Sequence, residues 1–300
     1  MKYGALKGLD KKVSRLVVGA RGFDDDGECF EHFDACFEAG YTVWDTGHSY
    51  YEGETDRRIG RWMELRNNRE KVVVLEKACI HSPDRKRITP YDLTSELFDC
   101  LARLRTDYVD IFMLHRDDPT AEVGPIVEEL NKHWEAGRIK VFGASNWTHQ
   151  RIGEANEYAR KHGLQPFTVS GPQFSLLKRN ETKVHWWHDC AGIGGKSGKE
   201  AREWYRENGI AVFGYSPLAV GFLNGEITPD NINNIIKEGQ IPQWSIDAWY
   251  SEENMGYLAR AIEMAKIKGL TLAQVVLRYI TSLASNGIMD AYAVVGSKNL

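Results

Sequence analysis

Apolar and polar positions alternate along the chain in one repeated order. A short, nearly continuous apolar run ends in a polar or glycine corner, and an amphipathic stretch follows. Eight such runs read as strands: Val13–Gly19, Tyr41–Asp45, Val72–Lys77, Tyr108–His115, Lys140–Ser145, Phe167–Pro172, Ile210–Tyr215 and Ala291–Val295. Continuous rather than alternating apolar character suits strands covered on both faces. Between them, a 3.6-residue period predicts helices over Cys29–Ala39, Thr94–Arg105, Val123–Ala136, Gln150–Lys161 and Lys199–Glu207, then Glu252–Lys268 and Leu272–Leu283. Gly40, Gly137 and Gly163 stand where three of these helices stop. Ser216–Tyr250 shows no regular period. Eight strands alternating with helices predict an α/β fold, a closed (β/α)8 or TIM barrel, in a single domain. The competing architecture is an open doubly wound sheet. That sheet binds dinucleotide at a GxGxxG turn after its first strand, and Gly19-Ala20-Arg21-Gly22 lacks the spacing.

Composition narrows the classes further. The chain has 300 residues, 42% hydrophobic and 27% charged, with a formal net charge of −4. This is globular composition without the cationic field that gathers nucleic acid or anionic lipid. No apolar run is long enough to span a bilayer, and Met1–Leu16 has no apolar core of a secretory signal, so the expectation is a cytoplasmic protein with neither a membrane nor a nucleic-acid partner. Five scattered cysteines, with no CxxC pair, read as reduced thiols.

Barrels carry their chemistry where strands end. The residues at those ends are Ala20-Arg21, Asp45 through Tyr50, Lys77, His115-Arg116-Asp117, Ser145-Asn146, Gln173, Tyr215 and Gly296-Ser297-Lys298. An acid, a phenol, an amine and an imidazole thus meet on one rim. A phenol with a pKa near 10 exchanges protons poorly at neutral pH. An ammonium beside it lowers that pKa, a carboxylate orients the ammonium, and an imidazole polarises a carbonyl oxygen. Tyr50, Lys77, Asp45 and His115 therefore form a device for protonating a carbonyl oxygen as hydride arrives at its carbon. No side chain donates hydride, so a nicotinamide or flavin is required.

The motifs around these residues resemble the aldo-keto reductase family. Gly40-Tyr-Thr-Val-Trp-Asp-Thr-Gly-His-Ser-Tyr50 resembles its signature, in which Asp-Thr-(Ala/Gly) precedes the catalytic Tyr. Glu54–Gly60 resembles its Ser-Glu-x-x-Leu-Gly helix, and Val72–Lys77 its strand ending in the catalytic Lys, although Glu76 stands where the family often has Thr. Thr106–His115, Phe142–Trp147 and Val212–Leu218 are similar to three further segments, in order. The resemblance implies that Tyr50 is the general acid/base, tuned by Lys77 and Asp45, with His115 orienting the carbonyl. It implies that Ser145, Asn146 and Gln173 hold the nicotinamide carboxamide and that Tyr215, at the head of Tyr-Ser-Pro-Leu with Ser216 and Leu218, stacks on the ring. Ala20 and Arg21 belong to the same cofactor set. Gly296, Ser297 and Lys298 match the start of the segment gripping the adenosine 2′-phosphate, which favours NADPH/NADP+ over NADH. The implied activity is NADP-dependent reduction of an aldehyde or ketone to an alcohol. The alternative is a cofactor-sensing or regulatory subunit on the same fold, since some relatives of the family turn over little.

Pocket-lining positions of the family fall on Arg21, Cys79 and Arg116, with Ser49 beside Tyr50. Guanidinium and hydroxyl groups suit a polar or sugar-like carbonyl substrate, so Ser49, Cys79 and Arg116 are expected to touch it. Other motifs fail on their surroundings. His115-Arg116-Asp117 would need an Asn at position 122 to be a kinase loop, and Glu122 is there. Gly195-Lys196-Ser197 lacks the strand and first glycine of a phosphate loop. His185 and His188 have a metal-ligand spacing without a second ligand cluster, so no metal is expected. A barrel hydrolase would need two facing carboxylates; Asp45 and Glu76 are the candidates, with Lys77 beside them arguing against a free pair. Trp186-Trp187, Trp244 and Trp249-Tyr250 lie in long connections that either wall a pocket or pad helix ends.

Overall fold

Strands β5 (Val73–Ala78) and β6 (Val109–Leu114) have no exposed residue, as their continuous apolar pattern requires. They pair in parallel, Leu75 opposite Ile111 and Ala78 opposite Leu114. The protein is described from a computed structural model, over residues 1–184 and 189–296. Two strands, β1 (Tyr3–Leu6) and β2 (Leu9–Ser14), form an antiparallel hairpin. The other eight among the described residues are β3 (Leu16–Val18), β4 (Val43–Asp45), β5, β6, β7 (Ile139–Ser145), β8 (Val169–Gly171), β9 (Ala211–Gly214) and β10 (Ala291–Val295). In that order they make a closed barrel. The (β/α)8 expectation is therefore met.

The chain divides into two compact units, Met1–Gly171 with the segment from Val294, and Pro172–Ala293. In the first, helices α1 (Asp26–Glu38), α2 (Glu54–Arg66), α3 (Pro90–Leu104), α4 (Val123–Glu135) and α5 (His149–Lys161) alternate with β4–β8. Aromatic packing fixes the first turn of this alternation. Trp44 of β4 lies 4.7 Å from Trp62 of α2, and Phe33 of α1 meets Trp62 edge-on at 5.3 Å. Each fully buried large ring of this kind contributes about 2–3 kcal/mol. Helix starts follow local capping. Thr89 and Asp92 form a reciprocal capping box ahead of Pro90, so α3 begins four residues before the predicted Thr94. Thr148, not Ser145 or Asn146, caps α5, which leaves that pair for other work.

The second unit contains α6 (Lys199–Glu207), β9, α7 (Ile232–Lys237), α8 (Gln243–Trp249), α9 (Glu252–Lys268), α10 (Leu272–Ser282) and the start of β10. Its apolar cluster includes Leu177, Phe222, Trp249, Leu258 and Val276. Trp249 is fully buried there and is a core residue, whereas Tyr250 beside it is exposed.

Two expectations are corrected. The run Val13–Gly19 is not one strand: it breaks at Arg15, its first part pairing with β1 and its second entering the barrel. The stretch Ser216–Tyr250 is not wholly irregular, because α7 and α8 lie within it. Among the described residues no helix is long and apolar enough to cross a membrane.

Candidate active site

Asp45 closes β4 and Lys77 lies near the end of β5, which pairs with β4 in register Asp45 to Leu75. Alternation along β5 turns Lys77 to the face that Leu75 also occupies. Its ammonium donates to Asp45 Oδ1 and, at 2.7 Å, to the Thr46 carbonyl. Tyr50 follows five residues after Asp45, in the 3-10 turn Tyr50–Gly53 that leads into α2. The Lys77 ammonium sits 5.1 Å from the centre of the Tyr50 ring. His115 is the first residue beyond β6, and its backbone N–H donates to the Ala78 carbonyl at 2.6 Å. Its Nε2 lies 3.4 Å from the Tyr50 hydroxyl, with the two rings edge to face at 5.4 Å. The four residues expected to act together are thus together, and all lie in the first unit.

Electrostatics give each a definite protonation state. Burial works against the Lys77 charge, but Asp45 and Tyr50 more than offset it and hold its pKa above the ordinary lysine value. Burial also lifts Asp45, against the pull of Lys77; the direct contact keeps the two as an ion pair. The imidazole of His115 is driven well below its usual range by burial, then by the positive charges of Lys77 and Arg116. It is neutral at physiological pH and carries a single N–H. Tyr50 departs from the sequence expectation. Lys77 does pull its pKa down, but burial outweighs that pull and the net direction is upward. The phenol is therefore held protonated, as a proton donor rather than a phenolate.

Ser145 and Asn146 close β7 beside this group. The Ser145 hydroxyl donates to the Gly171 carbonyl at 2.7 Å. Asn146 adopts φ +66°, and its side-chain amide donates to the His115 carbonyl at 3.0 Å and to Ser145 Oγ at 3.1 Å. A left-handed asparagine held by its neighbour's carbonyl is a positioned group rather than a helix cap. Arg21 ion-pairs with Glu28 at 2.5 Å and stacks on Phe23. Arg116 is partly open, with Nη1 on the His115 carbonyl at 3.2 Å. Ser49 is exposed. Cys79 is fully buried with φ +65° and its N–H on Glu96, so it offers a substrate no surface. Gly296 is exposed beyond β10, while Ser297 and Lys298 lie outside the described residues, as do His185 and His188.

In the second unit, Gln173 is 1% exposed, and neither its side-chain oxygen nor its nitrogen has a hydrogen-bond partner among the described residues. A buried amide left so is costly unless something else meets it. A ligand carboxamide, with its own donor and acceptor, is the natural complement. Tyr215 follows β9 and takes a hydrogen bond from Arg179 Nη1 at 3.2 Å; Ser216 has φ +50° and Leu218 is partly buried. Arg179, buried and also bound to the Cys190 carbonyl, was not foreseen, because an arginine in a loop gives no sign of its burial. Nor was the role of Thr46, whose backbone carbonyl, not its side chain, receives Lys77. Glu76 does not face Asp45 as a hydrolase would require. It points to the other side of β5, near Asp56 and Cys100.

A tyrosine, a lysine, an aspartate and a histidine are thus gathered at strand ends of a closed barrel. The family profile described as aldo/keto reductase family matches residues 15–300, and the chain belongs to that family. It is 28% identical over 188 residues to norsolorinic acid reductase B of Dothistroma septosporum, a match covering 56% of this chain and 48% of that protein. It is 27% identical over 242 residues to aldo-keto reductase str7 of Strobilurus tenacellus, covering 78% and 64%. With the NADP(+) aryl-alcohol dehydrogenase of Phanerodontia chrysosporium, identity is 29% over 196 residues, covering 58% and 51%. The chain thus spans about half the length of most of these curated relatives. The crystal structure of the thermostable aldo-keto reductase Tm1743 in complex with the inhibitor epalrestat superposes with a TM-score of 0.70 at 20% identity. That match covers 100% of this chain and 90% of the other, and it shows the shared fold.

Proposed function

We propose that the protein reduces an aldehyde or ketone to an alcohol, taking hydride from NADPH and a proton from Tyr50. The observation that carries this is the Tyr50 hydroxyl set against neutral His115 and backed by the Lys77–Asp45 pair. Bound nicotinamide supplies the hydride. The residues proposed to hold it, from the family resemblance, are Ser145, Asn146, Gln173 with its unmatched amide, Tyr215, Ser216 and Leu218. Ala20, Arg21 and the Gly296-Ser297-Lys298 segment complete the cofactor set, and an NADP+-named relative supports NADPH over NADH. His115 holds the substrate oxygen through its single N–H. Tyr50 Oη delivers its proton to that oxygen, and Lys77 stabilises the phenolate left behind. The Thr46 carbonyl and Asp45 keep the ammonium in place for that step.

For the substrate we propose a polar, oxygenated carbonyl compound, met by Ser49 and Arg116; Cys79, without accessible surface, is left out. An aromatic aldehyde is the second reading, favoured by the aryl-alcohol dehydrogenase relatives. The test is NADPH oxidation with a panel of sugar-derived, aromatic and long aliphatic aldehydes. Higher kcat/KM for the oxygenated members supports the first, and for aromatic members the second. NADPH binding without turnover on any member would favour the regulatory alternative. We place the protein in the cytoplasm, consistent with cysteines that are buried.

A further inference from the structure

Beneath Lys77, on the opposite face of β5, three acidic side chains meet out of solvent. A carboxylate oxygen of Asp56 (α2), one of Glu76 (β5) and the sulfur of Cys100 (α3) lie within 4.8 Å of one another. All three residues are fully buried. Asp56 Oδ1 accepts from the Thr46 hydroxyl at 2.6 Å, and Glu76 Oε1 accepts from the Lys77 N–H at 3.0 Å. Among the described residues, the second oxygens, Asp56 Oδ2 and Glu76 Oε2, accept no N–H or O–H, and the neutral Cys100 thiol is the side-chain donor to Glu76.

Two carboxylates cannot both stay ionised there, because the cations around them are committed. Arg103 reaches Asp56 Oδ2 at 3.8 Å but is shared with Asp99 at 3.7 Å and with the His48 carbonyl at 2.8 Å. Lys77 is bound to Asp45. His48 faces Glu96 at 3.6 Å and Asp99 at 3.3 Å, and Glu96 is held by Arg87 at 2.6 Å. Among the described residues, Glu76 is left with one backbone N–H and the neutral Cys100 thiol as donors, and with no cation bound to it. We propose that Asp56 and Glu76 hold one proton between them, carried by Glu76 Oε2 and donated toward Asp56 Oδ2, and that this pair positions Lys77. The pair grips Lys77 twice. Glu76 fixes its backbone N–H, and Asp56 holds the Thr46 side chain whose carbonyl receives Nζ. Electrostatics run the same way: burial, then the charge of Asp56, lifts Glu76 well above the carboxylate range, and burial lifts Asp56. Both are positioning residues, and their part in turnover rests on the role of Lys77 given above.

The proton itself is tested without turnover. Infrared spectra of the wild-type protein at neutral pH should contain a carboxylic-acid C=O band that Glu76→Gln removes. A folded acid with a raised pKa binds more protons than the unfolded chain, so wild type loses stability as pH climbs above the ordinary carboxylate value. Glu76→Gln lacks that slope. Its Tm advantage over wild type should widen by about 3 °C or more between pH of about 5 and about 8. Positioning is tested by kinetics: Glu76→Ala should lower kcat about tenfold with little change in KM, and Glu76→Gln should recover most of the loss. Absence of the band, parallel melting curves across pH, or one equivalent of metal that Cys100→Ser releases would each overturn the shared proton. Equal kcat for Glu76→Ala and wild type would overturn the positioning role. A wild type that shows the band and the slope but reduces no carbonyl would instead fault the proposed activity alone.

Discussion

Replacing Lys77 by methionine isolates the ion pair under the rim. Methionine has a similar length and packs in the same space, so the change is chiefly electrostatic. The side chains of Lys77 and Asp45 are 7% and 10% exposed, and the ammonium also serves the Thr46 carbonyl. Without it, Asp45 is a buried carboxylate with no counter-charge. Breaking such a pair from one side costs about 3–5 kcal/mol, with proton uptake by Asp45 limiting the loss. For a chain of this length that is a Tm fall of roughly 5–8 °C at neutral pH. The sign with pH follows from the proton. In Lys77→Met the folded pKa of Asp45 lies above its unfolded value near 4, so the folded state binds the extra proton. The variant's stability deficit should therefore be small at acidic pH and grow as pH rises toward neutrality. Adding Asp45→Asn removes the stranded charge and should return most of the lost Tm. Thermal melts of wild type, Lys77→Met and the double variant at acidic and neutral pH decide it. A single variant melting with wild type at neutral pH, or a double variant no better than the single, would refute the reasoning.

Other expectations concern the frame around the site. A Cβ on Gly143 of β7 would collide with the Val169 carbonyl of β8, so Gly143→Ala should cost about 4 kcal/mol or more, read as a collapse of the urea midpoint. Asp110, fully buried at the start of β6, takes Arg69 Nη1 at 2.8 Å and the Val74 N–H at 2.9 Å. Asp110→Ala should lower stability by about 3–5 kcal/mol in denaturant titrations while leaving KM for NADPH unchanged. Burial pushes the thiol pKa of Cys29 to about 12 and of Cys36 to about 11. Both should resist a thiol reagent at mildly alkaline pH in the folded protein and react at once in denaturant.

The barrel was legible because each of its strands is a short apolar run ended by a polar or glycine corner, and that pattern needs no tertiary knowledge. The β1–β2 hairpin escaped notice. Leu9–Ser14 carries charges at three successive positions, and its turn is marked only by Gly8, which takes φ +93°. Helices α7 and α8 have six and seven residues, too few for a 3.6-residue period to stand out. At the site, residue types and strand ends pointed to Asp45, Tyr50, Lys77 and His115. What they did not show was the sign of the Tyr50 shift. Lys77 beside a phenol argues for a lowered pKa, and only the packing around Tyr50 shows that burial prevails. Arg179 and the Asp56–Glu76 pair were hidden for the same reason, since a charged residue's burial is a property of the fold.

The central claim, that Tyr50 gives its proton to a carbonyl oxygen while nicotinamide gives hydride, is tested most directly by Tyr50→Phe. NADPH and NADH binding would be followed by quenching of tryptophan fluorescence, alongside carbonyl reduction, in both proteins. The account predicts equal NADPH affinity in wild type and variant, with reduction lost about 100-fold or more in the variant alone. Reduction at the wild-type rate by Tyr50→Phe, or no binding of either nucleotide by the wild-type protein, would contradict it.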